Sequence, residues 1–382
     1  MMPPALLALL FLLLSGCALD DAAPVHSVYR SPDAANLQGH VTYVTDRRAE
    51  KAAPGGFGTF WAAAPSCGTT DVVIPAAPLP GQDVPWGYIA TTHPASCSDT
   101  AHAPQFSHIT NMLQAEAATK NCRDILLLVP GFHTGFDSAV LRAGQMAADM
   151  RWPCVTATLS WTSEVDLKRY EADLERSFYA QPLLAAWLRD MTQTGLKVHI
   201  IGQSMGARLT LATLAGFAYD RPAPLPVGEV ILTGADIGAE KTRNDFTALA
   251  GRAAPFVRRI TVYASGADAM LILSARSHGD VPRLGASTEA VAAAGVSIDV
   301  IDATGVPADT VGHSYYAMSY EVLADMARAL NGEALASRIR GNTLLPPSLM
   351  APGELGATPR LATDRTPRLI SHILAGLAET LP

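Results

Sequence analysis

Between Cys122 and Leu330 the chain alternates short apolar runs with longer segments whose apolar residues recur at helical spacing. The runs 125–129, 155–159, 198–201, 230–232, 260–263 and 298–301 are mostly β-branched or Leu. Strands of this kind are covered on both faces, so six of them predict a parallel sheet between two layers of helices. Leu167, Tyr170, Leu174 and Phe178 form one predicted helical stripe facing the core. Leu209, Leu211, Leu214 and Phe217 form another. The pattern gives an α/β fold with a doubly wound, mostly parallel sheet.

Outside this stretch the pattern weakens. Residues 18–121 are rich in Pro, Gly, Ala and Ser, with strand-like pieces only at 41–45 and 57–61, and read as an irregular extension with short strands. The catalytic core is expected over 122–335. In the last part, 336–382, a long surface loop at 342–367 is followed by an amphipathic helix at 369–381. No internal repeat occurs.

The first residues, MMPPALLALLFLLLSGCALD, hold an apolar run over 5–14 that is shorter than the ~18 residues of a membrane-spanning helix and reads as an export signal. Leu14-Ser15-Gly16-Cys17 resembles the lipobox of bacterial lipoproteins, which implies a signal over 1–17, lipidation of Cys17 and attachment to a membrane through this N-terminal anchor. Ala18 after the Cys favours, by the same resemblance, the outer membrane, with the protein facing the periplasm. In that oxidising compartment the remaining Cys67, Cys97, Cys122 and Cys154 can pair. Cys122 precedes one predicted strand and Cys154 opens the next, so Cys122–Cys154 is the preferred pair and Cys67–Cys97 the remainder; other connectivities and free thiols stay open. No CxxC spacing suggests a metal, and no cofactor is expected. Lys and Arg number 28 against 35 Asp and Glu, without a basic run, so nucleic acid is not an expected partner.

The chemistry centres on Gly202-Gln203-Ser204-Met205-Gly206, which directly follows a predicted strand and opens a predicted helix. A serine on such a turn stands clear of the sheet, and its flanking glycines let the turn close. A hydroxyl needs a base, and His313 in Gly312-His313-Ser314-Tyr315-Tyr316 lies in the loop after the last predicted strand. Asp236, Asp268 and Asp302 each follow a strand downstream of Ser204; Asp268 is favoured to orient His313, with Asp236 as the alternative acid and Asp302 structural. The turn Val129-Pro130-Gly131-Phe132-His133 brings a second backbone donor, so the N–H groups of Phe132 and Met205 are the expected oxyanion hole. His133 is read as a residue lining the pocket. His199, inside a strand, is expected to bond a core partner.

Several motifs, taken together, resemble a group of largely uncharacterised bacterial α/β-hydrolases related to esterases and lipases. They are YVTDR at 43–47, PGFHTGFDSAVLRAGQMAADM at 130–150, SW at 160–161, GQSMGARL at 202–209, YASGADAM at 263–270, PRLG at 282–285 and GHSYY at 312–316. The resemblance spans about Val41 to Leu330. It implies Ser204, Asp268 and His313 as a triad and makes the N-terminal segment an added strand region. Pro130 stands where relatives commonly carry His. The expected reaction is cleavage of a carboxylic ester, from a small molecule or a lipid, through an acyl-enzyme. A thioesterase or amidase would use the same triad. The contrasting class is a non-catalytic envelope lipoprotein binding lipid, glycan or protein, which has no need of an intact Ser, His and acid set.

Overall fold

Where the sequence reads as irregular, three strands form, two of them long: β1 (Leu37–Ala49), β2 (Phe57–Ile74) and β3 (Tyr88–Ala95). A computed structural model describes residues 25, 27–28, 36–75, 87–95, 97, 106–220, 227–239, 245–286, 298–306, 308–340, 344–345 and 360–361. Polar residues disguised β1. Thr42, Thr45 and Arg47 are as buried as Val41, Tyr43 and Val44, and Thr45 and Arg47 offset that burial with partners, Thr45 by donating to the Ser160 carbonyl at 2.6 Å and Arg47 to Ser160 Oγ at 3.0 Å. The helix α1 (Ser107–Thr119) was also missed; its Ile109, Leu113 and Ala117 join the main core.

The six predicted runs are the strands β4 (Asp124–Val129), β5 (Val155–Ser160), β6 (Lys197–Gln203), β7 (Val227–Thr233), β8 (Val257–Ala264) and β9 (Ile298–Asp302). Two short strands, β10 (Leu344–Leu345) and β11 (Arg360–Leu361), lie where a loop was expected, and β11 adds to β9. The sheet order is β10-β11-β9-β8-β7-β6-β4-β5-β1-β2-β3. β4 to β9 are mutually parallel where they pair, β1 joins β5 in parallel, and β2 and β3 continue antiparallel. The mostly parallel α/β sheet expected from the apolar pattern is the one observed.

Successive side chains of β4 serve opposite cores. Ile125, Leu127 and Val129 face a cluster with α1, α3 (Tyr170–Gln193), α4 (Met205–Asp220) and α5 (Asp245–Ala253), whereas Leu126 and Leu128 face one with α2 (Phe136–Asp149) and α8 (Tyr320–Leu330). The period of two thus explains why the run is apolar throughout: each face has its own helix layer. Fully burying a Leu or Ile side chain contributes about 1.5–3 kcal/mol. α6 (Ala269–Ser277) follows β8, and α7 (Tyr315–Met318) lies between β9 and α8 in the chain. The stripe of α4 is buried as expected, but Phe178 of α3 is exposed, its ring beneath the Arg208 guanidinium at 5.5 Å, so it is not core.

Both preferred disulfides are present. Cys122–Cys154 ties the entries of the neighbours β4 and β5, and Cys67–Cys97 ties β2 to the chain just after β3. Cys17, the apolar run before it and the helix expected at 369–381 lie outside the described residues. Among the described residues no helix is long and apolar enough to cross a membrane.

Candidate active site

β4 is flanked by β5 on one side and β6 on the other, so successive crossovers lead to opposite sides of β4. A crevice therefore opens beyond the carboxyl ends of β4 and β6. Ser204 sits there, directly after β6, with φ at +54°, a conformation that a side-chain-bearing residue adopts only when its surroundings enforce it. They do so through backbone bonds: Ser204 N–H donates to the Thr233 carbonyl at 2.9 Å, and its own carbonyl accepts from Ala207 and Asp236. Gly206 is equally constrained. A Cβ at this position would lie 2.2 Å from the Val129 carbonyl oxygen, so only glycine lets the first turn of α4 close against the end of β4.

His313 lies between β9 and α7, its Nδ1 2.7 Å from Asp268 Oδ2. Asp268 is fully buried and has two tasks. Its Oδ1 caps α6 by accepting from Leu271 N–H at 3.1 Å, which fixes the carboxylate plane and leaves Oδ2 for the imidazole. Asp309 holds the His313 backbone by accepting its N–H at 2.7 Å. Burial opposes a charged imidazole, yet Asp268, with Asp309 and Asp236 further out, outweighs it and pushes the His313 pKa up from 6.5 to about 9. Ser204 Oγ is not hydrogen-bonded to His313. The imidazole Nε2 instead faces Gln203 Nε2 at 3.0 Å.

The turn after β4 is anchored at each residue around Phe132. Pro130 O accepts from Trp161 Nε1 at 2.8 Å, Gly131 N–H donates to Gln203 Oε1 at 2.8 Å, and His133 N–H donates to Ser163 Oγ at 2.8 Å. Among the described residues the Phe132 N–H is left uncommitted between them. Met205 is the first residue of α4, so its N–H has no acceptor within the helix and stands at the positive end of the helix dipole.

The family model for α/β hydrolases of unknown function (DUF900) matches residues 106–331, more than half of the chain. The chain belongs to this family. Among solved structures the hydrolase is similar to a putative cell surface hydrolase from Lactobacillus plantarum WCFS1, at 11% identity and a TM-score of 0.35, covering 58% of this chain and 96% of that one. It is similar also to an arylesterase, at 10% identity and a TM-score of 0.33, covering 82% of this chain and 87% of that one. No curated protein matches.

Around the triad candidates the hydrolase carries a second polar group. Asp236, the alternative acid, is committed elsewhere: its carboxylate accepts from Arg283 Nε at 2.6 Å, from Ser274 Oγ at 2.7 Å and from Tyr170 Oη at 2.5 Å. Burial pushes its pKa up, but Arg283 and these hydroxyl donors hold it below the usual carboxylate value. Tyr170, at the start of α3, lays its ring edge-on to Phe132 at 5.4 Å and to His278 at 5.9 Å, so this network packs against the turn that bears Phe132. Asp302 Oδ1 caps the next turn through Thr304 N–H. His199 pairs with Asp124 and accepts from Glu229 N–H, the core role expected for it. Gln203, Asp309 and Arg283 were not singled out from sequence, and Tyr170 was read only as part of a core-facing stripe, whereas its hydroxyl joins the Asp236 group. Gln203 lies inside the serine motif and Arg283 inside PRLG, but neither spacing says where a long side chain will reach. Among the described residues no cluster of three or more His, Cys, Asp or Glu could hold a metal ion.

Proposed function

We propose that the hydrolase cleaves a carboxylic ester through an acyl-enzyme on Ser204, with His313 as base, Asp268 fixing its tautomer, and the N–H groups of Phe132 and Met205 receiving the oxyanion. The observation that carries this reading is the pairing of His313 with the buried Asp268 at 2.7 Å, beside a serine held at positive φ at the crevice. Nδ1–H donated to Asp268 leaves Nε2 as the basic nitrogen, the form that can take the hydroxyl proton as Oγ attacks an acyl carbon. The proton then passes to the leaving alcohol, and water repeats the sequence to release the acid. Two backbone donors aimed at the developing charge contribute about 3 kcal/mol each. A small-molecule or lipid ester suits this chemistry.

The test is labelling by a fluorophosphonate probe. Wild type is expected to label and Ser204→Ala to remain unlabelled under identical conditions; a folded wild type that does not react would overturn the reading. We propose also that the protein is anchored in the bacterial cell envelope by lipid on Cys17, which the Leu-Ser-Gly-Cys sequence supports. Metabolic incorporation of labelled palmitate that is lost in Cys17→Ser is the expected result, and equal incorporation in both would refute it.

A further inference from the structure

Gln203 joins two parts of the site that the triad scheme treats separately. Its amide is buried, and Oε1 accepts from Gly131 N–H at 2.8 Å. A backbone N–H can only donate, so this bond fixes which end of the amide is oxygen. The NH2 end therefore faces His313 Nε2 at 3.0 Å. For that contact to be a hydrogen bond, Nε2 must carry a lone pair, which places the ring proton on Nδ1 toward Asp268 at 2.7 Å. Gly131 makes the approach possible: a Cβ there would lie 2.4 Å from Gln203 Oε1.

A protonated ring cannot keep this arrangement. With hydrogen on Nε2, two donors face each other, and turning the amide over only moves the conflict to Gly131 N–H. Charging the imidazole therefore costs the Gln203–imidazole bond or, if the amide turns over, the anchor of the oxyanion turn at Gly131. The groups acting on the ring are thus opposed. Asp268 from the end of β8, Asp309 from its own loop and Asp236 from the end of β7 favour the cation, and Gln203 from the end of β6 disfavours it.

We propose that Gln203 is a positioning residue that disfavours a proton on Nε2 of His313 and couples the charge on that ring to the oxyanion turn through Gly131. This inference rests on the serine-hydrolase reading for its catalytic meaning, but the contact itself is independent of it. When Ser204 Oγ attacks, its proton moves to Nε2, the Gln203–imidazole bond is given up, and the amide is released from holding both partners.

The experiment compares wild type with Gln203→Glu and Gln203→Met in two readouts: the pH dependence of fluorophosphonate labelling, and NMR titration of the His313 ring, assigned by difference from His313→Asn. A carboxylate at 203 accepts from both Gly131 N–H and a protonated Nε2, so Gln203→Glu is expected to move the acid limb and the ring titration upward by about one pH unit or more. Labelling near neutrality then falls about tenfold and recovers at higher pH. Gln203→Met removes the opposing donor without adding an acceptor and is expected to shift both curves upward by less. A uniform loss of labelling with unchanged ring titration in both variants would mean a structural role only and overturns the proposal. Should the Glu variant fail to fold, the comparison with Met decides it. A folded wild type unreactive at every pH refutes the hydrolase mechanism instead, while the ring titration still judges Gln203.

Discussion

The centre of the sheet and its N-terminal edge handle burial in opposite ways. Every residue of β5 and β7 is buried, and β4 and β6 each have one residue that is not, whereas β3 has no buried residue and β2 is buried mainly in its second half. The centre is held by apolar contact on both faces and can carry strained residues such as Ser204 at its carboxyl edge. The edge reaches the site through one polar residue. Arg47 of β1, fully buried, donates to Ser160 Oγ at 3.0 Å, to Gly58 O at 3.1 Å and to Thr134 O at 2.6 Å, the last being part of the turn that bears Phe132. Chemistry and scaffold are therefore expected to separate under mutation.

The largest effect belongs to the centre. Asp268→Asn is expected to keep the fold, because an amide oxygen can still cap Leu271, but its NH2 faces Nδ1 and forces the ring proton onto Nε2. A loss of about 10⁴-fold in kcat is the expected scale for a triad aspartate, with an unfolding midpoint close to that of wild type. In wild type, kcat/KM is expected to rise with pH through the His313 pKa of about 9 rather than near 6.5, because the base must be neutral. Stability runs the other way. A histidine whose pKa is raised on folding contributes fully below 6.5, and that contribution is lost as pH rises through about 9. A profile rising near 6.5 would mean that Asp268 does not govern the ring.

Next in size is the edge. Burial pulls the Arg47 pKa down to about 10, against Asp46 and Asp173, which favour its charge. Arg47→Met leaves buried acceptors without a donor, so a loss of about 3–5 kcal/mol in urea unfolding is expected. Labelling of Ser204 should also slow, because Thr134 is released. A variant as stable as wild type would show that β1 is carried by apolar packing alone.

Arg47 also shows what the sequence hides. The parallel strands were legible because two-sided burial demands apolar residues, and the serine turn because its glycines and position are local requirements. β7 began earlier than its apolar run because Glu229 lies in it, opposite Arg259 of β8, the two paired at 2.8 Å inside the sheet. Such a charge is tolerated only by its partner, and the partner's place is a property of register. Gln203 and Asp309 were passed over for the same reason. Their roles depend on where Gly131 and His313 come to rest, far away in the chain.

The disulfides compare the two regions directly. They close loops of similar length, at separations of 30 and 32 residues, so loop entropy assigns each roughly 3–4 kcal/mol. Replacing either pair by Ser is expected to lower stability by similar amounts when measured separately. A clearly smaller loss for Cys67 and Cys97 would mean that β2 and β3 unfold before the rest, in a step local to the edge.

The smallest effect is expected on the outer face of the edge. Asp71 of β2 bonds His40 of β1 at 2.7 Å and His93 of β3 at 3.2 Å, bridging all three strands. The His40 hydrogen bond, with His93 behind it, lowers the Asp71 pKa against the pull of burial. For a carboxylate depressed on folding, the stabilisation is present above 3.8 and is lost as pH falls through the lowered value. About half of the side chain is exposed, so solvent screens the cluster, and Asp71→Asn is expected to cost under about 1 kcal/mol at neutral pH and less at high salt. A loss as large as that of Arg47→Met would reverse the comparison, because the antiparallel edge would then be held from its wet face rather than from the single arginine beneath it.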